Sequence, residues 1–367
     1  MAEKAIRLGG ESTAAAITQA VQELYPEHKF TEAEFARKDN AAEIAVDTNF
    51  AAQSFWKDVR IRFFRKKSAV LGLVMIMIIL LLAIFGPGMN AYTYSGQDLS
   101  QKNFAPRVPG IEQFGILDGS EKMSTTTGTK IVNNYVEKGK DDVYYWFGSD
   151  LYGRDIWTRT WEGARVSLII AVAAAVIDMV IGMSYGLISG YFGGRVDMVM
   201  QRFLEVANGI PRLVIVTLLL LVLQPGMVTI IFALMLTEWV GMSRIARAEM
   251  LKLKDREFVL ASRTLGAGSF FIIFKEVLPN IIGPIITQVM FSIPTAIFTE
   301  AFLSFVGLGI PVPQCSLGSL ISELYNSFTT HPYQIIPPIV VMSLLMLSFN
   351  LVADGLREAL DPKMKSM

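Results

Sequence analysis

The sequence has one cysteine, two histidines and no net charge, and each scarcity excludes something. Cys315 on its own rules out a disulfide framework. His28 and His331 are far apart and form no zinc or redox pattern with it. Lys+Arg is 33 and Asp+Glu is 33, so the chain is not a nucleic-acid binder relying on overall positive charge. Charged residues make up 18% of the 367, against about 25% in an ordinary soluble domain. With 52% hydrophobic residues the chain is not disordered. A soluble protein this apolar and with no net charge would tend to associate.

The apolar residues are blocked. No charge occurs between Lys67 and Asp98, and only Asp178 between Arg165 and Arg195. Further uncharged runs lie between Arg212 and Glu238, Glu276 and Glu300, Glu300 and Glu323, and Glu323 and Asp354. A membrane-spanning helix needs about 20 mainly apolar residues. Six spans are expected, near 68–88, 166–192, 200–224, 226–246, 280–306 and 336–356. Buried helices of a large soluble protein are the competing reading. Against it, Leu71–Phe85 and Leu213–Leu223 are apolar all round and offer water no face. The expected class is therefore an all-α membrane protein with about six transmembrane helices and a small insert between the first two.

Basic residues orient the chain. Lys57, Arg60, Arg62, Arg65, Lys66 and Lys67 precede the first span. Arg244, Arg247, Lys252, Lys254, Arg256, Arg263 and Lys275 sit between spans 4 and 5, and Arg357, Lys363 and Lys365 follow span 6. Residues 276–356 hold no Lys or Arg. Both ends are thus expected in the cytoplasm. Residues 1–55 lack a basic stretch followed by an apolar one, so they read as a cytoplasmic extension and not a signal peptide. Ala14–Leu24 suits a short helix. Phe55–Phe64 interleaves aromatics with bases, as an interfacial helix would, or as a simple positive stop would. In the outer segment, Lys130–Val136 and Asp142–Phe147 read as strand-like.

The loop 247–279 between spans 4 and 5 is long for a bundle. Phe258, Ala261, Ser262 and Leu265 recur at helical spacing within 255–265, and Gly266 follows where a helix end favours positive φ. A short helix with an apolar face and basic flanks below the membrane reads as a docking element, or as an inert interfacial helix. Two acids lie in apolar runs. Asp178 and Glu300 each read as a polar lining or gate of a pathway, or as a structural hydrogen bond or ion pair. Arg154, Asp155 and Arg159 read as headgroup anchors or contacts to an outer protein, and Trp146, Trp157 and Trp161 as an interfacial belt.

Leu260-Ala261-Ser262, then Gly266, then Glu276-Val277-Leu278-Pro279 resembles the E-A-A loop of bacterial ABC importer permeases. Phe147-Gly148-Ser149-Asp150, Gly153-Arg154-Asp155, Gly163–Leu168, Gly190–Gly194, Glu300–Gly309 and the segment Asn350–Pro362 are similar to the C-type subunit of the oligopeptide/dipeptide permease family. The sequence departs from that pattern at Leu260, Ser262, Glu276, Glu205 and Leu317; Ser262 stands for an alanine, and Glu276 for a histidine or aliphatic residue.

The resemblance implies a type I ABC importer permease fold. It covers about 147–363; the spans and charges divide the whole chain into an extension (1–55), an interfacial helix and first span (56–88), an outer segment (89–163), a core (164–356) and a tail (357–367). It implies a bacterial cytoplasmic membrane, a second homologous permease, two cytoplasmic ABC ATPases and an extracytoplasmic peptide-binding protein, with no nucleic acid. ATP and Mg would sit on the ATPases: this chain has no G-x-x-x-x-G-K-[ST], no catalytic residue of its own, and no metal cluster at ligand spacing. Arg256, Glu257, Phe258, Ala261, Ser262, Gly266, Leu278 and Pro279 would carry ATPase coupling; Asp178 and Glu300 would line or gate the path. The implied cargo is oligopeptide, with nickel or another small solute as the alternative. A secondary transporter or membrane receptor remains the competing class.

Overall fold

The computed structural model describes residues 55–125 and 128–361. The extension, with its expected Ala14–Leu24 helix, and Lys363 and Lys365 of the tail lie outside these. Residues from Val59 onward form one compact unit.

In chain order the helices are α1 (Phe55–Arg65), α2 (Lys67–Gly88), α3 (Ile156–Phe192), α4 (Gly194–Gly209), α5 (Arg212–Val222), α6 (Met227–Leu253), α7 (Glu257–Thr264), α8 (Ser269–Leu308), α9 (Leu317–Tyr325) and α10 (Pro332–Leu360). α2, α3, α6, α8 and α10 are long and apolar enough to cross a membrane. The third expected span, 200–224, is instead the pair α4–α5, bent by 76°. Pro211 is the physical reason. The residue before a proline is pushed out of helical geometry, and Ile210 is extended, with φ −84° and ψ 124°. α3 begins ten residues before the expected 166, because Asp155 caps it by accepting from Thr158 N.

Neighbour registers show which way each helix runs. Gly72 of α2 lies against Ser348 and Val352 of α10, whereas Gly355 lies against Ala69, so this pair is antiparallel. Gly182, Gly186 and Gly190 of α3 meet Trp239, Ser243 and Met250 of α6 in rising order, so this pair is parallel. A chain that enters two parallel neighbours must return between them. α4 and α5 make that return: Leu204 packs with Trp239, while Val216 packs with Leu303 near the far end of α8. Six passes place Lys66 and Glu358 on one side, where they form an ion pair.

In hydrocarbon there is no hydrophobic drive between helices, so close approach of small residues does the packing. A Cβ on Gly186 would fall 2.1 Å from the Ser243 carbonyl oxygen, and one on Gly182 2.5 Å from that of Trp239. The α3–α6 seam therefore fixes the half of the bundle nearer Lys66 and Glu358. There Leu187, Met242, Ala246 and Met250 join Val259, Ile273, Val277 and Ile281 in one buried cluster.

The outer segment holds a two-stranded antiparallel hairpin, β1 (Ser120–Thr125) and β2 (Gly128–Asn133). It covers only part of the expected Lys130–Val136 strand, because Asn133 caps a short helical turn from Asn134. The expected strand at Asp142–Phe147 is absent: this stretch forms turns around buried Tyr145, whose hydroxyl reaches Gln101 at 2.7 Å.

Gly186→Ala is expected to destabilise the solubilised protein by about 1–3 kcal/mol through overpacking. Gly283→Ala, whose Cβ would meet Leu360 at an ordinary 3.4 Å, should leave the thermal midpoint unchanged. Parallel thermal melts of the two variants check the seam.

Candidate functional site

On the side holding Lys66 and Glu358, α7 forms a short helix closed by a complete C-terminal cap. Gly266 sits at φ +84°, its N–H bonds Arg263 O at 3.0 Å, and Ala267 N–H bonds Ser262 O at 3.0 Å. Only a residue tolerant of positive φ closes the helix this way. The helix spans 257–264, slightly shorter than 255–265, with Arg256 extended before it.

The apolar face read from the periodicity is turned away from the bundle. Val259 is fully buried, whereas Phe258 is 40% and Leu265 88% exposed, and Ala261 is exposed too. α7 therefore inserts one side chain into the bundle and turns Phe258, Ala261 and Leu265 outward, beside exposed Arg256, Glu257 and Arg263.

Two polar contacts hold α7 in place. Ser262 Oγ donates to Glu276 Oε1 at 2.6 Å, and the Arg263 guanidinium lies 4.8 Å from the Tyr191 ring centre at the end of α3. Both members of the first contact are departures from the family pattern, and the fold makes them partners. Glu276 lies in the π-turn Ile272–Val277, just ahead of Leu278 and Pro279 at the start of the long regular part of α8. Its second oxygen, Oε2, is buried without a hydrogen-bond partner among the described residues. Arg247 makes a two-pronged pair with Asp197, 2.6 Å on each arm, tying α6 to α4 on the same side.

Mid-bundle, Asp178 opens a π-turn, Asp178–Gly182, and is buried. Its Oδ1 has no partner among the described residues, and Ser292 of α8 lies beside it. Such π-turns are frequent at functional sites. Glu300 is wholly buried and accepts from three serines: Ser304 at 2.7 Å, Ser316 at 2.5 Å and Ser167 at 3.2 Å. These come from the end of α8, the cap of α9 and α3, so one carboxylate ties three elements together. Sequence reading gave Asp178 and Glu300 the same pair of readings; the fold puts them on different helices, α3 and α8, and in different surroundings.

The far side holds a cluster that sequence reading missed. Arg154 and Arg159 are buried and share Asp150, at 2.7 Å each, and both pair with Glu323 of α9. Asp155 bonds Asn90 at 2.7 Å and Thr158. These residues are thus neither headgroup anchors nor an outer contact surface. A buried guanidinium needs carboxylates around it, and here it finds them. Burial alone would raise the Glu323 carboxyl, but Arg159 and then Arg154 outweigh it and hold it below the usual glutamate range. Trp146, Trp157 and Trp161 stack edge-to-face on one another, and Trp157 bonds Gly86 O at 2.9 Å. Among the described residues no three His, Cys, Asp or Glu side chains converge as a metal site would.

Two family models match the chain. Residues 182–366 match the binding-protein-dependent transport system inner membrane component, and residues 54–106 match the N-terminal TM domain of oligopeptide transport permease C. The chain is 41% identical over 312 residues to the oligopeptide transport system permease protein OppC of Bacillus subtilis (strain 168), covering 85% of this chain and 91% of that one. It is 42% identical over 318 residues to the dipeptide transport system permease protein DppC of Lactococcus lactis subsp. cremoris (strain MG1363), covering 85% and 92%. Among solved structures, it is similar to a chain of the inward-facing MetNI methionine ABC transporter at 15% identity, covering 54% and 94%, with a TM-score of 0.47; that likeness is too low to argue from.

The Glu323 cluster yields a pH prediction. A carboxyl held below its unfolded value of about 4.5 contributes stability in full above that value and loses it as the pH falls through the folded value. The thermal midpoint should fall on acidification below about pH 4.5, and Glu323→Gln should flatten that fall while lowering the midpoint at neutral pH.

Proposed function

The chain belongs to the binding-protein-dependent transport inner membrane components, as a C-type permease subunit of an oligopeptide/dipeptide ABC importer, and from this we propose how its surfaces divide the work. It is a multi-pass membrane protein of a non-catalytic permease family. Its task is to form half of a path for oligopeptides and to convert a push from elsewhere into a change in that path.

The single observation that carries the proposal is α7: a capped helix on the base-rich side, strapped to α3 and α8, with Phe258, Ala261 and Leu265 facing outward. A surface this apolar at the membrane edge asks for a protein partner. We assign it to a cytoplasmic ATPase, with Arg256 and Glu257 at the contact and Gly266, Leu278 and Pro279 setting the angle at which displacement of α7 reaches α8. Two such ATPases, carrying ATP and Mg, would act on this chain and on a second homologous permease. A peptide-binding protein would deliver cargo to the opposite side. The proposed orientation places Lys67 and Leu360, and with them both termini, in the cytoplasm.

The two acids take separate roles. Asp178, with a free oxygen beside a π-turn, belongs to the path. Glu300, satisfied by three serines, acts as a gate element by holding α3, α8 and α9 together at the outer end.

Gly266→Pro removes an N–H that caps α7 and denies the residue its positive φ, so ATP-driven peptide uptake should be lost. Exchange of charge at Arg256 and Glu257 should weaken ATPase binding in pull-down. Unchanged uptake in both variants would remove the coupling role. Ser262→Ala should lower peptide imported per ATP hydrolysed, without loss of complex assembly, since it loosens the strap to α8 while leaving the docking face intact.

Asp178→Asn should slow uptake with ATP hydrolysis retained. Glu300→Ala should destabilise the protein by about 2–4 kcal/mol, because three buried hydroxyls lose their acceptor. Glu300→Gln, which can still bond them, should cost less. Uptake, ATP hydrolysis and melting measured side by side separate the two acids.

A further inference from the structure

α8 carries Gln288, Ser292, Thr295 and Thr299 at i, i+4, i+7 and i+11, which puts all four on one face of the helix. Thr295 is exposed and the other three are half-buried, whereas Ile293, Ala296, Ile297 and Glu300, on the other side, are buried. Phe298 and Phe302 flank the polar face and are themselves exposed. The middle of a membrane-spanning helix thus presents a polar stripe that this chain covers only in part, Thr299 Oγ1 lying 3.5 Å from Glu238 Oε1 of α6.

The three hydroxyls of that face are one-sided, while the Gln288 amide both donates and accepts. Ser292 donates its proton to Val289 O, Thr295 to Phe291 O and Thr299 to Thr295 O, each at 2.9 Å. Hydroxyl protons spent on the helix's own carbonyls leave the oxygen lone pairs turned outward as acceptors. Behind Ser292 lies Asp178, 3% exposed, with Oδ1 unpartnered among the described residues. Hydrocarbon offers no donor to any of these oxygens, so the face is built for water or for a ligand rich in N–H groups.

We propose that Gln288, Ser292, Thr295 and Thr299 form a track for an extended peptide, accepting its main-chain N–H groups, with the Asp178 carboxylate favouring a free amino terminus. The proposal rests on the peptide reading above and adds the residues that meet the cargo. The dimensions agree. From Gln288 to Thr299 the helix rises about 16 Å, the length of about five residues of extended chain. Groups on one side of an extended peptide recur every 6–7 Å or so, close to the 4.5–6 Å or so between successive track residues. Main-chain recognition of this kind accepts many sequences, because side chains on the other side of the peptide meet the phenylalanine border or the second permease.

The lone, buried Cys315 makes thiol labelling a clean test. Gln288→Cys, Ser292→Cys, Thr295→Cys and Thr299→Cys, each in the full transporter with its ATPases, are exposed to a charged, membrane-impermeant thiol reagent during ATP turnover. Ile297→Cys is the buried control. The four track positions should label faster than position 297. A pentapeptide with a free amino terminus should suppress that labelling, and its N-acetylated form should suppress it less. Track positions that label no faster than 297, or that label equally with and without peptide, in a transporter that still imports the pentapeptide, would overturn the track alone. A transporter that hydrolyses ATP but imports no peptide would instead overturn the reading on which it rests.

Discussion

Inside hydrocarbon a polar group has no water to fall back on, and every feature of this fold answers to that constraint. Backbone groups are satisfied by helices, so the bundle is helical almost throughout. Helix contacts are made by glycines that let backbones approach, as at Gly186 against Ser243. The side-chain carboxylates obey the same rule in different ways. Glu300 is surrounded by serine donors. Glu323 and Asp150 enclose two guanidinium groups. Asp178 keeps an oxygen unsatisfied among the described residues at a π-turn beside a polar helix face, and Glu276 does the same in the π-turn Ile272–Val277.

The same constraint separates the molecule's two ends. At the end away from Lys66, Glu300, Asp150, Arg154, Arg159 and Glu323 bind α3, α8 and α9 into one block. At the end that holds Lys66, α7 is held by local contacts: one hydrogen bond from Ser262, one guanidinium over Tyr191 and one buried valine. In the proposed coupling, a push on α7 would meet a light attachment and pass into α8, whose far end is tied to α3 and α9. Pro284 and Pro294 lie between the two, where missing backbone hydrogen bonds make the helix easiest to bend.

Much of this was legible in the sequence, for identifiable reasons. Charge-free runs mark the spans because charges are costly in lipid. The α7 helix shows in its periodicity and in Gly266, where a local rule decides the ending. What the sequence hid depends on partners distant along the chain. Arg159 and Glu323 are 164 residues apart, so the basic residues before α3 looked like surface anchors until α9 was placed beside them. Ser262 and Glu276 were visible as two separate oddities, and only the fold shows that one answers the other. The bend at Pro211 was overlooked because length and hydropathy alone do not register a broken helix. The periodicity of α7 says which residues share a side and not which side meets the protein; the fold shows that Val259 faces the bundle and Phe258, Ala261 and Leu265 face away from it.

The central claim is that this chain has no engine of its own and moves peptide only when ATPases act on it. Reconstituted vesicles containing this permease, its homologous partner, the two ATPases and the peptide-binding protein test it directly. Uptake of a labelled pentapeptide should require ATP and all the components, and a proton gradient should neither replace ATP nor alter the rate. Peptide uptake driven by a proton gradient in vesicles lacking the ATPases would contradict it.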